Sequence, residues 1–254
     1  MLLHRELRIN DTKDGKPRSR SIFFGQADSP AEIALISRLR YDVYAKRGYI
    51  DPARFPDKME SDEYDRTGKC FYFMATIEGK VIGCIRVIVD DPLPTELDFR
   101  FEEPRELAAI PRSKRSELGR FIIIPPDREK GDFLPRGLTM LFLLDAISAF
   151  GRDHGLLGGY SFIKKSLETK LRKIKAPIGE IRGYEQRYPQ DGILYRYFSQ
   201  PEDPVVPMYF ITDDFLRFCG KMIGNSRMFE TLSPTVTELR SNLYTAFLRA
   251  MKII

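Results

Sequence analysis

The chain contains no tryptophan, only two histidines and only three cysteines, and each scarcity narrows what it can be. Cys70, Cys84 and Cys219 lack C-x-x-C spacing, and with His4 and His154 as the only imidazoles they do not compose a zinc site, so no metal is expected. An odd number of cysteines without a disulfide pattern points to a reduced compartment. Long apolar runs are missing too. Residues 1–20 are polar and charged throughout, without the apolar core of a signal peptide. The longest greasy helical stretch, Leu138 to Phe150, is interrupted by Asp145 and is too short to span a bilayer. These absences place the expected location in the cytoplasm.

What is present is enough for one sizeable core: 254 residues with 43% hydrophobic content. Charged residues, 30% of the chain, are mixed in sign along it, as in a globular protein. The formal net charge of +5 favours an acidic partner, without choosing among nucleic acid, an anionic membrane and an acidic protein. No nucleic-acid reader motif occurs and the basic residues alternate with acids, so nucleic acid is not expected.

Read for pattern, residues 1–20 form a flexible basic arm. Ser29-Pro30 then caps a helix carrying Ile33, Ile36, Leu39, Val43 and Tyr44 at helical spacing, with Gly48 as its stop. Residues 49–67 form an acidic loop. Cys70 to Ile77 and Val81 to Val89 make an antiparallel hairpin about Glu78-Gly79-Lys80. After a proline-rich and charged segment, Leu118 to Ile124 is a strand, Pro135 to Phe150 a buried helix, Leu156 to Phe162 a strand and Lys164 to Lys175 a basic helix ending before Pro177. Ile193 to Phe198 and Val205 to Thr212 read as short strands. Ser233-Pro234 opens a last helix with Val236, Leu239, Leu243, Phe247 and Met251 on one side. Residues 21–212 form the main domain and 213–254 a helical extension packed on it, with weak contact to a membrane surface as the alternative for its apolar stripe.

Three groups of residues are chemically suggestive. Glu60, Asp62 and Asp65 place three carboxylates on one loop, where they repel one another unless cations meet them. Arg86 stands in mid-strand with apolar neighbours on both faces, and burying it unpaired would cost several kcal/mol. Glu117-Leu118-Gly119-Arg120 leads into an apolar strand, where residues three apart point to opposite faces. A bulge at Gly119 brings Glu117 and Arg120 to one side and frees backbone N–H groups to hold a developing oxyanion. Together with Arg40 on the first helix, these residues predict a charge network that builds a polar site for a small zwitterion.

Arg40 and Tyr44 on the helix, Glu60-x-Asp62-x-x-Asp65, Gly83-x-x-Arg86 and Glu117-x-x-Arg120, in that order, resemble the signature of acyl-homoserine-lactone synthases and their relatives, the long-chain N-acyl-amino-acid synthases. The likeness spans about residues 30–165. It implies an α/β fold of the GNAT kind: a mixed, mostly antiparallel central sheet flanked by helices and splayed near residues 117–124. It also implies an acyl-carrier-protein donor, with either S-adenosylmethionine or a free amino acid such as tyrosine as acceptor. The lactone synthases carry a tryptophan between the helix arginine and the acidic loop; here Tyr49 takes that place, which turns the reading toward an amino acid or other primary amine.

The implied reaction is attack by a neutral amine on a thioester, and it needs a proton acceptor, an oxyanion donor and a pantetheine channel. Glu117 is the candidate base, directly or through water. A structural Glu117 is the alternative, because Arg120 beside it pushes its pKa down. The backbone of Phe121, Ile122 and Ile123 is the candidate thioester contact. Arg128 to Phe133 is a partial version of the glycine-rich loop with which ordinary GNAT enzymes hold coenzyme A, with Phe133 where a small residue is wanted. Acyl-CoA is therefore the lesser donor, and no tightly bound cofactor is expected. Lys164, Lys165, Lys170, Arg172, Lys173 and Lys175 offer a docking face for an acidic carrier protein, the alternative being a solvated helix face. A non-catalytic GNAT-like ligand-binding module is the third reading of the whole chain.

Overall fold

The computed structural model describes residues 1–13, 16–124, 136–225 and 227–240. Their chain order is β1 (Leu2–Lys13), β2 (Lys16–Gln26), α1 (Pro30–Lys46), β3 (Cys70–Ile77), β4 (Lys80–Ile88), α2 (Pro94–Asp98), β5 (Phe99–Arg100), α3 (Arg105–Ala108), β6 (Arg115–Ile123) and α4 (Arg136–Asp153). Then follow β7 (Gly158–Lys164), α5 (Lys165–Lys173), β8 (Ile178–Glu180), β9 (Glu185–Gln186), α6 (Tyr195–Phe198), β10 (Val205–Ile211), α7 (Thr212–Ile223), β11 (Phe229–Ser233) and β12 (Val236–Leu239). Ten strands form one sheet in the order β11-β12-β1-β2-β3-β4-β6-β7-β10-β8. Among the described residues, only β1 with β12 and β6 with β7 run parallel, so the sheet is mostly antiparallel as expected.

Strand alternation divides the core between two faces. Phe73 and Ala75 of β3 and Ile85 and Val87 of β4 join the cluster built on α4 and α7. Tyr72, Met74 and Cys84 point the other way and join the cluster that includes Ile36, Leu39 and Tyr44 of α1. Arg86 has the same parity as Cys84 and therefore enters the α1 face. The β3–β4 turn has positive φ at Glu78 (49°) and Gly79 (75°), the left-handed pair that matches hairpin twist. Ser29 caps α1 by accepting a hydrogen bond from the Glu32 N–H, with Pro30 in the first turn.

The N-terminal segment is not an arm. β1 pairs with both β2 and β12, and Leu7, Ile9, Ile22 and Phe24 are fully buried in the α4-side core. The pairing is reinforced by Asp145 of α4, which binds His4 Nε2 at 2.8 Å and Arg5 Nε at 3.1 Å. Two further expectations are corrected. Residues 195–198 form a helical turn rather than a strand, and Val236 and Leu239 lie on β12, not on a helix opened at Ser233-Pro234. The rest of that expected helix, including Leu243, Phe247 and Met251, lies outside the described residues, as do Arg128 to Phe133 and Pro135. Among the described residues, no helix is long and apolar enough to cross a membrane.

Candidate active site

A bulge in β6 assembles the site. Arg86 pairs with Gly119 and Cys84 with Ile122, so one residue of β4 opposes two of β6. The expected bulge is present, but its left-handed residue is Arg120, at φ 56°, and not Gly119. The extra residue rotates Arg120 onto the α1 face that Glu117 already occupies, and both are buried. Leu118 and Phe121 are left on the opposite face, against the α4-side core.

Over this face fold the acidic loop and α1, and every predicted charge except Glu117 finds a partner there. Arg40, fully buried, donates through Nε to Glu60 and through Nη2 to Asp65 at 2.8 Å. Arg86 spans Asp62 with two bonds, of 2.7 and 2.8 Å, and reaches Asp65 at 2.8 Å. Arg120 donates to Glu60 at 3.1 Å and Asp62 at 2.7 Å. Tyr72 adds its hydroxyl to Asp65 at 2.8 Å. Burial by itself would raise the pKa of Glu60, Asp62 and Asp65, yet all three are lowered because guanidinium groups outweigh it. The planar, two-pronged guanidinium suits these bidentate contacts, which a lysine point charge would not reproduce.

Glu117 stands apart from the network. Its Oε2 accepts from the Thr95 N–H at 2.7 Å, at the start of α2, and burial pushes its pKa up to about 8. The expected depression by Arg120 does not occur, because that guanidinium is turned to Glu60 and Asp62. Asp98, one helical turn after Thr95, is raised to about 7 by burial, with Glu63 adding to the effect. Sequence reading missed Thr95 and Asp98. The signal was Pro94 opening a short helix, with Glu96 accepting from the Leu93 N–H at 2.8 Å.

β6 and β7 then separate. Gly159 lets them meet closely, since a Cβ there would lie 1.7 Å from the Ser116 carbonyl oxygen. Backbone pairing runs from Arg115↔Gly158 to Glu117↔Tyr160 and stops, although β6 continues to Ile123 and β7 to Lys164. This is the splay expected near residues 117–124. Behind it opens an apolar cleft of about 510 Å³, including its open mouth, walled by Leu118 and Phe121 of β6, Ser161 and Ile163 of β7, and Met208 of β10. Of the predicted thioester-contact residues, Phe121 lines this cleft, while Ile122 and Ile123 pair with Cys84 and Gly83 of β4.

Tyr44 lies under Arg120, whose guanidinium carbon is 6.0 Å from the ring centroid. Tyr49 packs edge-on to Tyr44 at 5.8 Å and to Tyr197 at 5.0 Å. The basic helix divides. Lys164 is buried on the site side, a correction to its place in an exposed docking face. Lys165 and Arg172 are about half exposed and bind the buried Glu168, whereas Lys170 and Lys173 face solvent.

A mostly antiparallel sheet splayed beside the buried Glu117, with an apolar cleft behind the opening, has the architecture of the GNAT-like fold. Comparison with known proteins agrees. The family model for the N-acyl amino acid synthase FeeM matches residues 35–158, from α1 to the start of β7. Among solved structures, TofI in a ternary complex with an inhibitor and MTA is 22% identical, with a TM-score of 0.50 over 78% of this chain and 95% of that one. The CoA-dependent acyl-homoserine lactone synthase BjaI, with MTA, is 14% identical, with a TM-score of 0.50 over 86% of this chain and 92% of that one. These two share the fold. No curated protein matches the chain in sequence.

Proposed function

We propose that the protein transfers a fatty acyl group from an acyl-carrier-protein thioester to the amine of an amino acid or similar small amine. The observation that carries this reading is the opening between β6 and β7, with Glu117 on one face and an apolar cleft on the other. The acyl chain occupies the cleft and the thioester lies in the opening. The acceptor approaches from the α1 face, where the arginine–carboxylate network fixes the loop that covers it. The amine nitrogen attacks the thioester carbon and the C–S bond breaks. Glu117 takes the amine proton, directly or through water, and the thiolate leaves to be protonated. A carboxylate whose pKa is about 8 suits this role, since a base titrating near working pH accepts and releases protons readily. The free cysteines fit a reducing compartment, and we place the reaction in the cytoplasm.

The deciding experiment is mass spectrometry of products formed by the purified protein from acyl-carrier-protein and acyl-CoA donors with a pool of amino acids and S-adenosylmethionine. N-acyl amino acids are expected, with faster turnover of the carrier-protein donor. Acyl lactones would reassign the acceptor, and no product from either donor would end the proposal. For docking, reversing Lys170 and Lys173 to glutamate is expected to raise the KM for the carrier-protein donor roughly tenfold, in a salt-dependent way, by weakening electrostatic association. An equal change with acyl-CoA would remove α5 from the docking face.

A further inference from the structure

Among the described residues, Lys164 is a buried cation with no carboxylate in ion-pair contact. It is the last residue of β7 and only 6% exposed. Its ammonium carries three donors; one meets the Tyr197 carbonyl at 2.5 Å, and the rings of Tyr197 and Tyr49 lie 4.4 and 5.3 Å away. No carboxylate forms an ion pair with it among the described residues. The nearest acids, Asp203 and Glu202, act on it only at a distance, and both oxygens of Asp203 are engaged by Ser166, by the N–H at 2.8 Å and the hydroxyl at 2.7 Å. Burying an ammonium with one carbonyl and two ring faces leaves most of its lost hydration unreplaced.

Its position ties it to the acceptor side of the opening. Residues alternate across β7, so Tyr160, opposite Glu117, shares a face with Phe162 and Lys164, whereas Ser161 and Ile163 line the apolar cleft. A continuous path of rings, Tyr44 then Tyr49, leads from Arg120 to Lys164. The four-residue step from Tyr160 to Lys164 is ~13 Å along the strand, within the combined reach of a glutamate, a lysine stem and an α-amino acid hydrogen-bonded at each end.

We propose that Lys164, flanked by Tyr49 and Tyr197, binds the carboxylate of the amine acceptor and so selects amino acids over simple amines. The inference rests on the acyltransfer reading and deepens it by naming the group that is recognised. The carboxylate supplies the missing anion and takes the free N–H donors, while the tyrosine rings shield the pair from water.

Equilibrium dialysis of the protein against a pool of the twenty amino acids, and separately against their methyl esters, tests this without requiring turnover. Wild-type protein is expected to retain at least one amino acid about tenfold better than its ester. Lys164→Met is expected to abolish that preference and Lys164→Arg to keep part of it. Kinetics with the retained amino acid are expected to show a tenfold or larger rise in KM for the acceptor in Lys164→Met, with the KM for the acyl donor unchanged. Equal retention of acids and esters by wild-type protein would overturn the proposal even if no variant folds. So would a Lys164→Met effect that falls on the donor, which would assign the lysine to the pantetheine phosphate. Lys164-dependent retention without any acyl transfer would uphold the carboxylate site and reject the proposed reaction.

Discussion

Glu117→Gln is expected to lower kcat by about 10²- to 10⁴-fold, the usual contribution of a positioned general base, while leaving the protein folded. Glutamine keeps an oxygen for the Thr95 N–H, so the tie between β6 and α2 survives and only the proton acceptor is lost. In the wild type, kcat/KM should climb with pH through about 8 as the buried carboxyl ionises. The stability effect has the opposite sign. A carboxyl whose folded pKa lies above its unfolded value stabilises the fold below that unfolded value, and the contribution is lost as pH rises through about 8. The glutamine variant should therefore hold its melting temperature better than the wild type as pH rises from 4.5 to about 8. A variant with full activity, or with an unaltered pH profile, would make Glu117 a structural residue.

The same position shows how much of the site was legible in the chain. The charged residues at 40, 60, 62, 65, 86, 117 and 120 were identifiable because each is costly to bury alone and they are complementary as a set. Which residue bends the strand was not legible: glycine tolerates positive φ most easily, yet Arg120 adopts it, held by the bonds of its guanidinium to Glu60 and Asp62. Nor was the pKa of Glu117, since adjacency in sequence suggested an arginine beside it that the fold directs elsewhere.

The fold was read well where one period dominated and poorly where charge obscured it. The hairpin of β3 and β4 has a turn signal and apolar strands, and it was located to within a residue. β1 and β2 alternate just as a half-buried strand should, with Leu7 and Ile9 or Ile22 and Phe24 facing in, but so many basic residues lie among the first twenty that residues 1–20 read as an arm. β12 failed for another reason. Val236 and Leu239 are three apart and suit a helix stripe, whereas their real partners, Glu6 and Ile9, are more than two hundred residues away. Lys164 read as one more cation of a basic helix, because only tertiary packing distinguishes it from Lys165.

Removing Arg86 is expected to have the largest effect on stability. Arg86→Ala withdraws three charge-assisted hydrogen bonds from Asp62 and Asp65 and leaves the buried Glu60 and Asp62 and the partly buried Asp65 facing two guanidinium groups. Breaking a buried pair from one side costs about 3–5 kcal/mol, a large part of the ~5–15 kcal/mol that holds a domain together. Arg172→Ala is the control: its side chain is 43% exposed and pairs with Glu168, so screening limits the loss to about 1 kcal/mol or less. Urea unfolding of the two variants measures the contrast. The pH dependence carries a second signature. The depressed carboxylates stabilise the wild type above their unfolded pKa values, and this contribution fades as pH falls through the lower folded ones. Without Arg86, Asp62 and Asp65 protonate at higher pH, so acid unfolding should begin earlier on the way down. Equal urea midpoints for Arg86→Ala and Arg172→Ala, with coincident acid transitions, would mean that the buried network does not hold the acidic loop over the site.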